Sequence, residues 1–256
     1  MHDYPFHSDP EREIRLLDEL RAGGMRVPQH LAFIMDGNRR FAKREGIALR
    51  EGHRLGAMRM REIALYLAEL GISYVTVYAF STENKKRAKS EVSALMQLFA
   101  RFFRDYQDEL VEHGVIVRFL AERDGLPASV IQTMDAAESR QSTGRLHLQV
   151  AFNYGSRMEL LRAAQRFALI TQERPELLQS DNPELLRDYL YQPDLPDPDL
   201  LFRSGGEQRI SNYLLWQLAY TELYFTKRFW PELTVCDILE ALLSYANRQR
   251  RFGGTL

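Results

Sequence analysis

The chain has 256 residues, of which 45% are hydrophobic and 27% charged, and its 34 Lys and Arg residues nearly balance its 35 Asp and Glu residues. This composition is typical of a soluble globular protein with one large or two small domains, and the balanced charge argues against nucleic acid as a partner. Cys236 is the only cysteine, which excludes a disulfide within the chain and a cysteine zinc cluster.

The first 29 residues are predicted to be a lead-in to a main domain that spans residues 30–256. Residues 1–13 are polar and acidic and do not resemble a signal peptide. Residues 11–21 fit a short helix that stops at the glycine pair Gly23 and Gly24. No apolar run in the sequence has the length of a transmembrane span. We therefore expect a cytoplasmic protein, with a peripheral position at the membrane as the alternative.

The stretch 30–44, HLAFIMDGNRRFAKR, predicts a strand, a tight turn and a basic helix. Residues 31–35 are apolar and short enough for one buried strand, and Asp36 stands where that strand should end. Turn-forming and cationic residues follow, namely Gly37, Asn38, Arg39 and Arg40. Backbone amides and arginine forks favour a diphosphate, and a carboxylate favours its magnesium ion. The competing interpretation is that Asp36 only caps a helix.

The next elements are predicted to be a helix and a strand. Residues 51–70 carry apolar side chains at helical spacing, and Gly71 is a good C-terminal stop. His53 lies at the front of this helix and is either a surface residue or part of the pocket around Asp36. Residues 74–80, YVTVYAF, are typical of a buried strand.

Polar residues also follow this second strand, namely Ser81, Thr82, Glu83 and Asn84, with Arg87 close behind. In parallel α/β sheets, ligands bind at the carboxyl ends of the strands. Two strands that both end in polar clusters therefore indicate one site. For the nearby Lys86 and Lys89, a solvated loop is the preferred interpretation.

Residues 91–113 are predicted to form a long helix with Ser90 as its cap and Gly114 at its end. The apolar band of this helix is wide and rich in phenylalanine. Two interpretations of the band stay open at this point. Either it packs into the core, or it forms one wall of an apolar tunnel.

The second half of the chain alternates strands with helices. Strands are predicted at 115–121, 146–152 and 199–202, and helices at 127–142, from a Ser156 cap to about 171, at 182–191 and at 235–248. This alternation predicts a single α/β domain with a mainly parallel sheet and helices on both faces. The motifs GxGxxG and GxxxxGK[ST] are absent from the sequence, so neither a dinucleotide fold nor a P-loop is supported.

The segment 203–212, RSGGEQRISN, predicts a second anion site. Its glycines allow close backbone approach, and its serines and arginines donate hydrogen bonds to an oxyanion. A polar turn before Tyr213 is the alternative. Glu222 lies in a mostly apolar surrounding, AYTELYF, where a carboxylate needs a partner such as a metal ion.

Taken together, these motifs resemble the cis-prenyltransferases, the undecaprenyl diphosphate synthase family. The matching segments are HLAFIMDGNRRFAKR, EGHRLGA, YVTVYAFSTENKKR, SEVSALMQLF, FNYGSR, RSGGEQRISNYLLWQLAYTELYF, WPEL and RRFGG, in order from about residue 30 to 254. The resemblance implies a homodimer in which each sheet is ringed by helices that enclose an apolar tunnel. It implies Mg²⁺-dependent addition of isopentenyl diphosphate, in cis, to an allylic diphosphate such as farnesyl diphosphate. The implied product is undecaprenyl diphosphate, the precursor of a glycosyl carrier lipid for cell-wall biogenesis.

The resemblance also implies roles for individual residues. Asp36 is the essential carboxylate and, with Glu222, a magnesium ligand, and Asn84 matches a position with a proton-accepting role. Because a neutral amide is a poor base, we expect Asn84 to organise a proton relay with Ser81 and His53. Gly37, Asn38, Arg39 and Arg40 are expected to hold the allylic diphosphate, with His53 and Arg87 nearby. Arg203, Arg209 and Ser211 match the isopentenyl diphosphate site, and Arg251 and Gly253 are expected to reach across the dimer. Further substrate-binding residues are expected at Phe41, Ser81, Thr82, Glu83 and Ile210.

Departures from the family pattern concern substrate preference. Lys85 replaces an aromatic residue, Leu49 an arginine and Gln208 a histidine, so no binding role is transferred to Leu49 or Gln208. The small Ala79 leaves the tunnel open, and Leu146 matches the position that closes its floor. These features predict a medium-long product of undecaprenyl type.

Three other functions are considered. A non-catalytic partner subunit on the same fold is disfavoured because Asp36 and both site arginines are present. A short-chain or branching prenyl synthase stays open as an alternative because of the departures at Lys85 and Leu49. A phosphohydrolase is weakly supported because such enzymes favour two acids flanking one residue, and position 38 is Asn.

Overall fold

The structure is a computed structural model and describes residues 5–140 and 143–248. Its centre is a six-stranded parallel sheet with the strand order β3-β4-β2-β1-β5-β6. The strands are β1 (His30–Ile34), β2 (Tyr74–Ser81), β3 (Val115–Leu120), β4 (Leu146–Tyr154), β5 (Leu200–Arg203) and β6 (Glu222–Phe225). The predicted parallel α/β fold is confirmed, and β6 adds an edge strand that the sequence pattern did not indicate.

Seven α-helices surround the sheet in the described part of the chain. They are α1 (Pro10–Ala22), α2 (Asn38–Arg44), α3 (Leu49–Glu69), α4 (Lys89–Glu112), α5 (Ala128–Ser139), α6 (Ser156–Glu173) and α7 (Val235–Ala246). Short 3₁₀ helices occur at Thr82–Lys86, Pro175–Gln179, Pro183–Tyr189 and Trp230–Glu232. None of the helices within residues 5–140 and 143–248 combines the length and the apolarity that a membrane crossing requires.

Two predicted helix caps are wrong. Helix α4 begins before Ser90, because the amides of Glu91 and Val92 already donate to the carbonyl of Ala88. Helix α6 has Gly155 at its N-cap, and the Ser156 hydroxyl instead accepts a hydrogen bond from the amide of Leu215. Both serines therefore lie inside the helix rather than at its cap.

The core has one apolar cluster on each face of the sheet. The larger cluster joins β1–β5 to α3, α4 and α7, and the smaller one lies on the opposite face around Tyr154 and Tyr213. The predicted lead-in packs on this core, since Leu20 of α1 is buried and the Val235 amide donates to the Phe6 carbonyl at 3.0 Å.

The sheet register sets the position of the site. In β1, Ile34 is paired with Tyr78 of β2 on one side and with Arg203 of β5 on the other. All three strands run parallel, so the segments that follow them leave the sheet at the same edge. Asp36, the segment after Ser81 and the loop after Arg203 are therefore neighbours in space although they are distant in sequence.

Candidate active site

The turn after β1 depends on Gly37. This residue has φ +105° and forms the N-cap of α2. A Cβ atom at this position would lie 2.7 Å from Cδ1 of Phe229, so both the backbone conformation and the close packing require glycine. The tight turn directs Asp36 and the start of α2 toward the same space.

Asp36 is held by both its backbone and its carboxylate. The Ser204 hydroxyl accepts from the Asp36 amide at 3.0 Å and donates to the Asp36 carbonyl at 2.8 Å. Of the two carboxylate oxygens, Oδ2 accepts from Nη2 of Arg203 at 2.9 Å and Oδ1 lies 3.1 Å from Nη2 of Arg40. The Asp36 side chain is 28% exposed and that of Arg203 only 4%, so Asp36 faces the solvent-accessible side of the pair.

Arg203 also shapes the loop 204–212. Its Nη1 donates to the hydroxyl of Ser211 at 2.8 Å and to the carbonyl of Arg209. Ser211 and Asn212 both adopt the left-handed conformation, with φ +50° and +61°. Such backbone strain in non-glycine residues is concentrated at functional sites, where the surroundings hold it in place.

An acidic residue that the sequence analysis did not single out joins two cationic residues. Glu207 pairs with Arg209 and lies 3.6 Å from Nη1 of Arg40. Both arginines therefore have a carboxylate partner in the free protein, and a diphosphate would compete with these partners for them.

The segment after β2 forms a capping box. The Asn84 amide donates to the Ser81 hydroxyl and the Ser81 amide donates to Oδ1 of Asn84, both at 3.2 Å. The expected pairing of Asn84 with Ser81 is present, and it occupies the Asn84 side-chain oxygen. Glu83 accepts from Nδ2 of Asn212 at 2.8 Å, which links this segment to the loop after β5.

A second cluster of predicted residues meets at Glu91, on the first turn of α4. Its carboxylate accepts from Arg39 and, at 3.0 Å, from Nη1 of Arg87, and Nε2 of His53 lies 3.6 Å away. Burial and then the charge of Arg87 lower the pKa of His53, with Glu91 partly opposing them. This environment favours the neutral form of His53.

These groups surround one cleft of about 700 Å³. The predicted residues that line it are Asp36, Gly37, Asn38, Arg39, Arg40, His53, Ser81, Glu83, Asn84, Arg87, Arg203, Arg209 and Ser211. Phe41 does not line it, because this ring is fully buried beneath α2. Thr82 and Ile210 flank the cleft in sequence without lining it, and Arg251 and Gly253 lie outside the described residues.

Glu222 is separated from Asp36 within one chain. Glu222 begins β6 and is paired with Leu200 of β5, which in turn is paired with Leu31 of β1. Since Asp36 follows Leu31 by five residues along the chain, it lies more than roughly 10 Å further along the strand direction. The carboxylate of Glu222 accepts from Nη1 of Arg248 at 2.7 Å. In the described part of the chain, the Glu222 carboxylate therefore has Arg248 as its partner.

The donor set at Asp36 was compared with the needs of Mg²⁺. No three His, Cys, Asp or Glu side chains gather as a metal site within residues 5–140 and 143–248. Mg²⁺ often takes only one or two carboxylates and completes its shell with substrate phosphates and water. An accessible carboxylate in a cationic cleft fits that mode, and Asp36 supplies one.

An apolar cavity of about 100 Å³ continues from the cleft. Six residues line both spaces, namely Met35, Asn38, His53, Tyr78, Ala79 and Leu95. Its far side is lined by five phenylalanines, Phe80, Phe99, Phe102, Phe103 and Phe152. The rings of Phe99 and Phe152 lie 4.2 Å apart between centroids, and Leu146, the expected floor, does not line the cavity. The aromatic band of α4 thus packs in the core and also bounds the cavity.

Three residues of the site were missed by the sequence analysis as individual functional residues. Ser204 fixes the backbone of Asp36, Glu207 pairs with two arginines, and Glu91 gathers Arg39 and Arg87. Ser204 and Glu207 lie inside the polar segment that drew attention as a whole. Glu91 carried no such signal, because an acid in the first turn of a helix is ordinary.

Comparison with known proteins shows the family of the chain. The sequence profile described as "Putative undecaprenyl diphosphate synthase" matches residues 34–253. The chain belongs to the undecaprenyl diphosphate synthase family. An isoprenyl transferase of Thermotoga maritima is 45% identical over 91% of this chain and 99% of its own length. Isoprenyl transferase 2 of Bradyrhizobium diazoefficiens is 43% identical over 89% of this chain and 91% of its own.

Solved structures of the family share the fold. The lavandulyl diphosphate synthase from Lavandula x intermedia, solved in complex with dimethylallyl diphosphate, has a TM-score of 0.82 at 33% identity, covering 89% of this chain and 98% of its own. A probable undecaprenyl diphosphate synthase from Campylobacter jejuni has a TM-score of 0.72 at 31% identity, covering 88% and 98%. The chain is thus a prenyltransferase of this family, and the predicted membership is confirmed.

Proposed function

We propose that this prenyltransferase condenses isopentenyl diphosphate with an allylic diphosphate, in cis and with Mg²⁺. The observation that carries the proposal is the continuity between a cationic cleft and an apolar cavity. A prenyl diphosphate has the same division, with an anionic head and a hydrocarbon tail. The solved relative from Lavandula x intermedia, in complex with dimethylallyl diphosphate, supports an allylic diphosphate as one substrate.

The two anion-binding groups are assigned to the two substrates. Arg39, Arg40 and Arg87 are assigned to the allylic diphosphate; Arg39 and Arg87 share Glu91 with His53, which lines both the cleft and the apolar cavity. Arg203, Arg209 and Ser211, on the loop after β5, bind isopentenyl diphosphate. Charge-assisted hydrogen bonds from these groups fix the two diphosphates and favour the charge that develops on the leaving one.

The reaction breaks the bond between the allylic carbon and its diphosphate oxygen. The double bond of isopentenyl diphosphate supplies the electron pair of the new carbon–carbon bond, and a proton then leaves the resulting cation. Mg²⁺, held by Asp36 and substrate oxygens, would neutralise the departing diphosphate. Neutral His53 is available for the proton, and Asn84, with its oxygen engaged by Ser81, acts as an organiser of the site.

Two product lengths are candidates. Undecaprenyl diphosphate is the proposed product, as the sequence predicts, and the rings of Phe99 and Phe152 must separate to admit it. A short-chain product is the second candidate, because one observation favours it. A cavity of about 100 Å³ is smaller than a 150 Å³ cavity that holds benzene, so the space beyond the cleft is short as it stands.

The homodimer is part of the proposal. Glu222 and Asp36 of the same chain are too far apart to bind one metal ion. Glu222 can therefore serve as a metal ligand only if it lies next to the Asp36 of a second copy of the chain. Arg251 and Gly253 are proposed to act across the same dimer. A cytoplasmic location with peripheral membrane contact at product release completes the proposal.

The test is incorporation of radiolabelled isopentenyl diphosphate with farnesyl diphosphate and Mg²⁺, beside an Asp36→Ala variant. Products are dephosphorylated and sized by thin-layer chromatography. Long polyprenol from the wild type and none from the variant supports the undecaprenyl assignment, and one-step products support the short-chain candidate. If the folded wild-type dimer incorporates nothing with farnesyl, geranyl or dimethylallyl diphosphate as starter, the proposal is wrong and a non-catalytic subunit is the better assignment.

A further inference from the structure

Glu91 gathers side chains from three different elements, and two of them are arginines. Arg39 comes from α2, His53 from α3, and Arg87 from the residue that follows the Thr82–Lys86 3₁₀ helix. The Glu91 side chain is only 9% exposed, whereas Arg39 is 63% and Arg87 is 35% exposed. The carboxylate is thus enclosed, and its partners extend away from it toward solvent.

The partners of Glu91 line the cleft, and Glu91 does not. Arg39, His53 and Arg87 all border the space that also contains Asp36. Glu91 instead borders a second groove, which shares His53 and Leu95 with the cleft. The carboxylate therefore lies behind the groups that face a ligand and is placed to orient them without touching it.

Two arginines close together repel each other in an empty cleft, and each has a flexible side chain. A shared carboxylate compensates their charge and fixes one nitrogen of each, while the remaining guanidinium donors stay free for a ligand. Binding is stronger when such groups are ordered before the ligand arrives, because less freedom is lost on binding. A carboxylate at the Glu91 position supplies this order.

We infer that Glu91 is a positioning residue for the allylic diphosphate: it holds Arg39, Arg87 and His53 in the orientation that binds the diphosphate head. The inference rests on the proposed function for the identity of the ligand. The loop after β5 has its own supports, Asp36 and Glu207, and makes no contact of this kind with Glu91. Loss of Glu91 should therefore weaken one substrate and spare the other.

The experiment compares Glu91→Gln with a matched control, Glu109→Gln. Glu109 lies on the same helix and pairs with Arg61, away from the cleft. The dissociation constant of farnesyl diphosphate is measured by calorimetry without isopentenyl diphosphate, so that no turnover occurs. Because hydrogen bonds to two charged groups are disturbed, we expect affinity about tenfold weaker in Glu91→Gln and unchanged in Glu109→Gln.

Steady-state kinetics give the second readout. The KM of isopentenyl diphosphate should change less than about twofold in Glu91→Gln, since its site has independent supports. A merely structural role would instead weaken both substrates together or lower only the melting temperature, and either result overturns the inference. Equal farnesyl diphosphate affinity in wild type and Glu91→Gln overturns it as well.

A third variant distinguishes loss of the carboxylate from a general effect of the substitution on folding. Glu91→Asp keeps the charge on a shorter side chain and should recover part of the lost farnesyl diphosphate affinity. If it recovers none while Glu91→Gln stays folded, the carboxylate is not the positioning element. A wild type that binds farnesyl diphosphate without incorporating isopentenyl diphosphate contradicts the proposed function alone, because the binding comparison does not depend on turnover.

Discussion

Phe99→Ala should lengthen the product. The Phe99 ring lies 4.2 Å from the ring of Phe152, 5.0 Å from Phe103 and 5.6 Å from Phe119, measured between centroids. The ring also lines the apolar cavity, so its removal enlarges the space beyond the cleft. The ring has six carbons, about as many as the five of one isoprene unit, and protein interiors are close-packed. The truncation should therefore add about one isoprene unit to the product distribution.

The Phe99→Ala substitution should also lower the stability of the protein, so the assay has to be run on the folded variant. A buried Phe→Ala substitution lowers the free energy of unfolding by about 3–5 kcal/mol, against a total of about 5–15 kcal/mol for a domain. The variant should remain folded at moderate temperature, and urea unfolding checks that it does.

The assay is thin-layer sizing of dephosphorylated products from wild type and variant under identical substrate ratios. The matched control is Phe6→Ala, which removes a buried ring that packs near Tyr66 and does not line the cavity. It should lose similar stability and leave product length unchanged. An unchanged product distribution in folded Phe99→Ala would refute the view that the aromatic cluster limits chain length.

Further outcomes are expected for a buried histidine, a glycine and the proposed dimer. Burial lowers the pKa of His30 from 6.5 to about 4, with the hydrogen bond to the Pro196 carbonyl partly opposing it. Between pH 6.5 and 4 the unfolded state thus binds more protons, so the free energy of unfolding should fall by about 3 kcal/mol as pH is lowered through this window. Urea midpoints should show that slope in wild type and lose it in His30→Gln; an equal slope in both refutes the assignment. Gly205→Ala should lower kcat/KM at least about tenfold, because its Cβ would lie 2.7 Å from Nη2 of Arg40 at a φ of +84°, and unchanged kinetics would contradict the close approach. Mixed Asp36→Asn and Glu222→Gln dimers should recover about a quarter of wild-type activity if the metal site is shared between subunits, and none if each chain builds its own.

The fold was largely predictable because its signals are local. Buried strands such as residues 31–35 and 74–80 have apolar, β-branched or aromatic runs that set them apart from the amphipathic helices. The polar residues after β1, β2 and β5 indicated the functional edge, since parallel strands bring their carboxyl ends together. Element ends were less predictable: Ser90 and Ser156 have good cap chemistry but are used otherwise.

Contacts between distant segments were the part that the sequence could not supply. Glu91 meets Arg39 across 52 positions, and nothing near either residue indicates the pairing. Glu222 has the composition of a metal ligand but turns toward Arg248, which depends on where α7 ends. The long aromatic band of α4 allowed two interpretations, core packing or a tunnel wall, and the structure shows that Phe99, Phe102 and Phe103 are buried in the core and also line the apolar cavity. Such questions are decided by packing, which local patterns do not encode.

Because β1 is central in the sheet, backbone amides on the two sides of the cleft should differ in their rates of hydrogen exchange. All five residues of β1 are buried, and strands flank it on both sides, so its amides should exchange with deuterium only through global unfolding. In the loop after β5, Ser204 and Gly205 are buried and their amides donate to the carbonyls of Ile34 and Arg228, whereas residues 207–212 are exposed or half-buried. Local opening of residues 207–212 can therefore occur while Ser204 still holds the Asp36 backbone just after the most protected strand. Exchange of a ligand held by Arg209 and Ser211 therefore need not disturb Asp36.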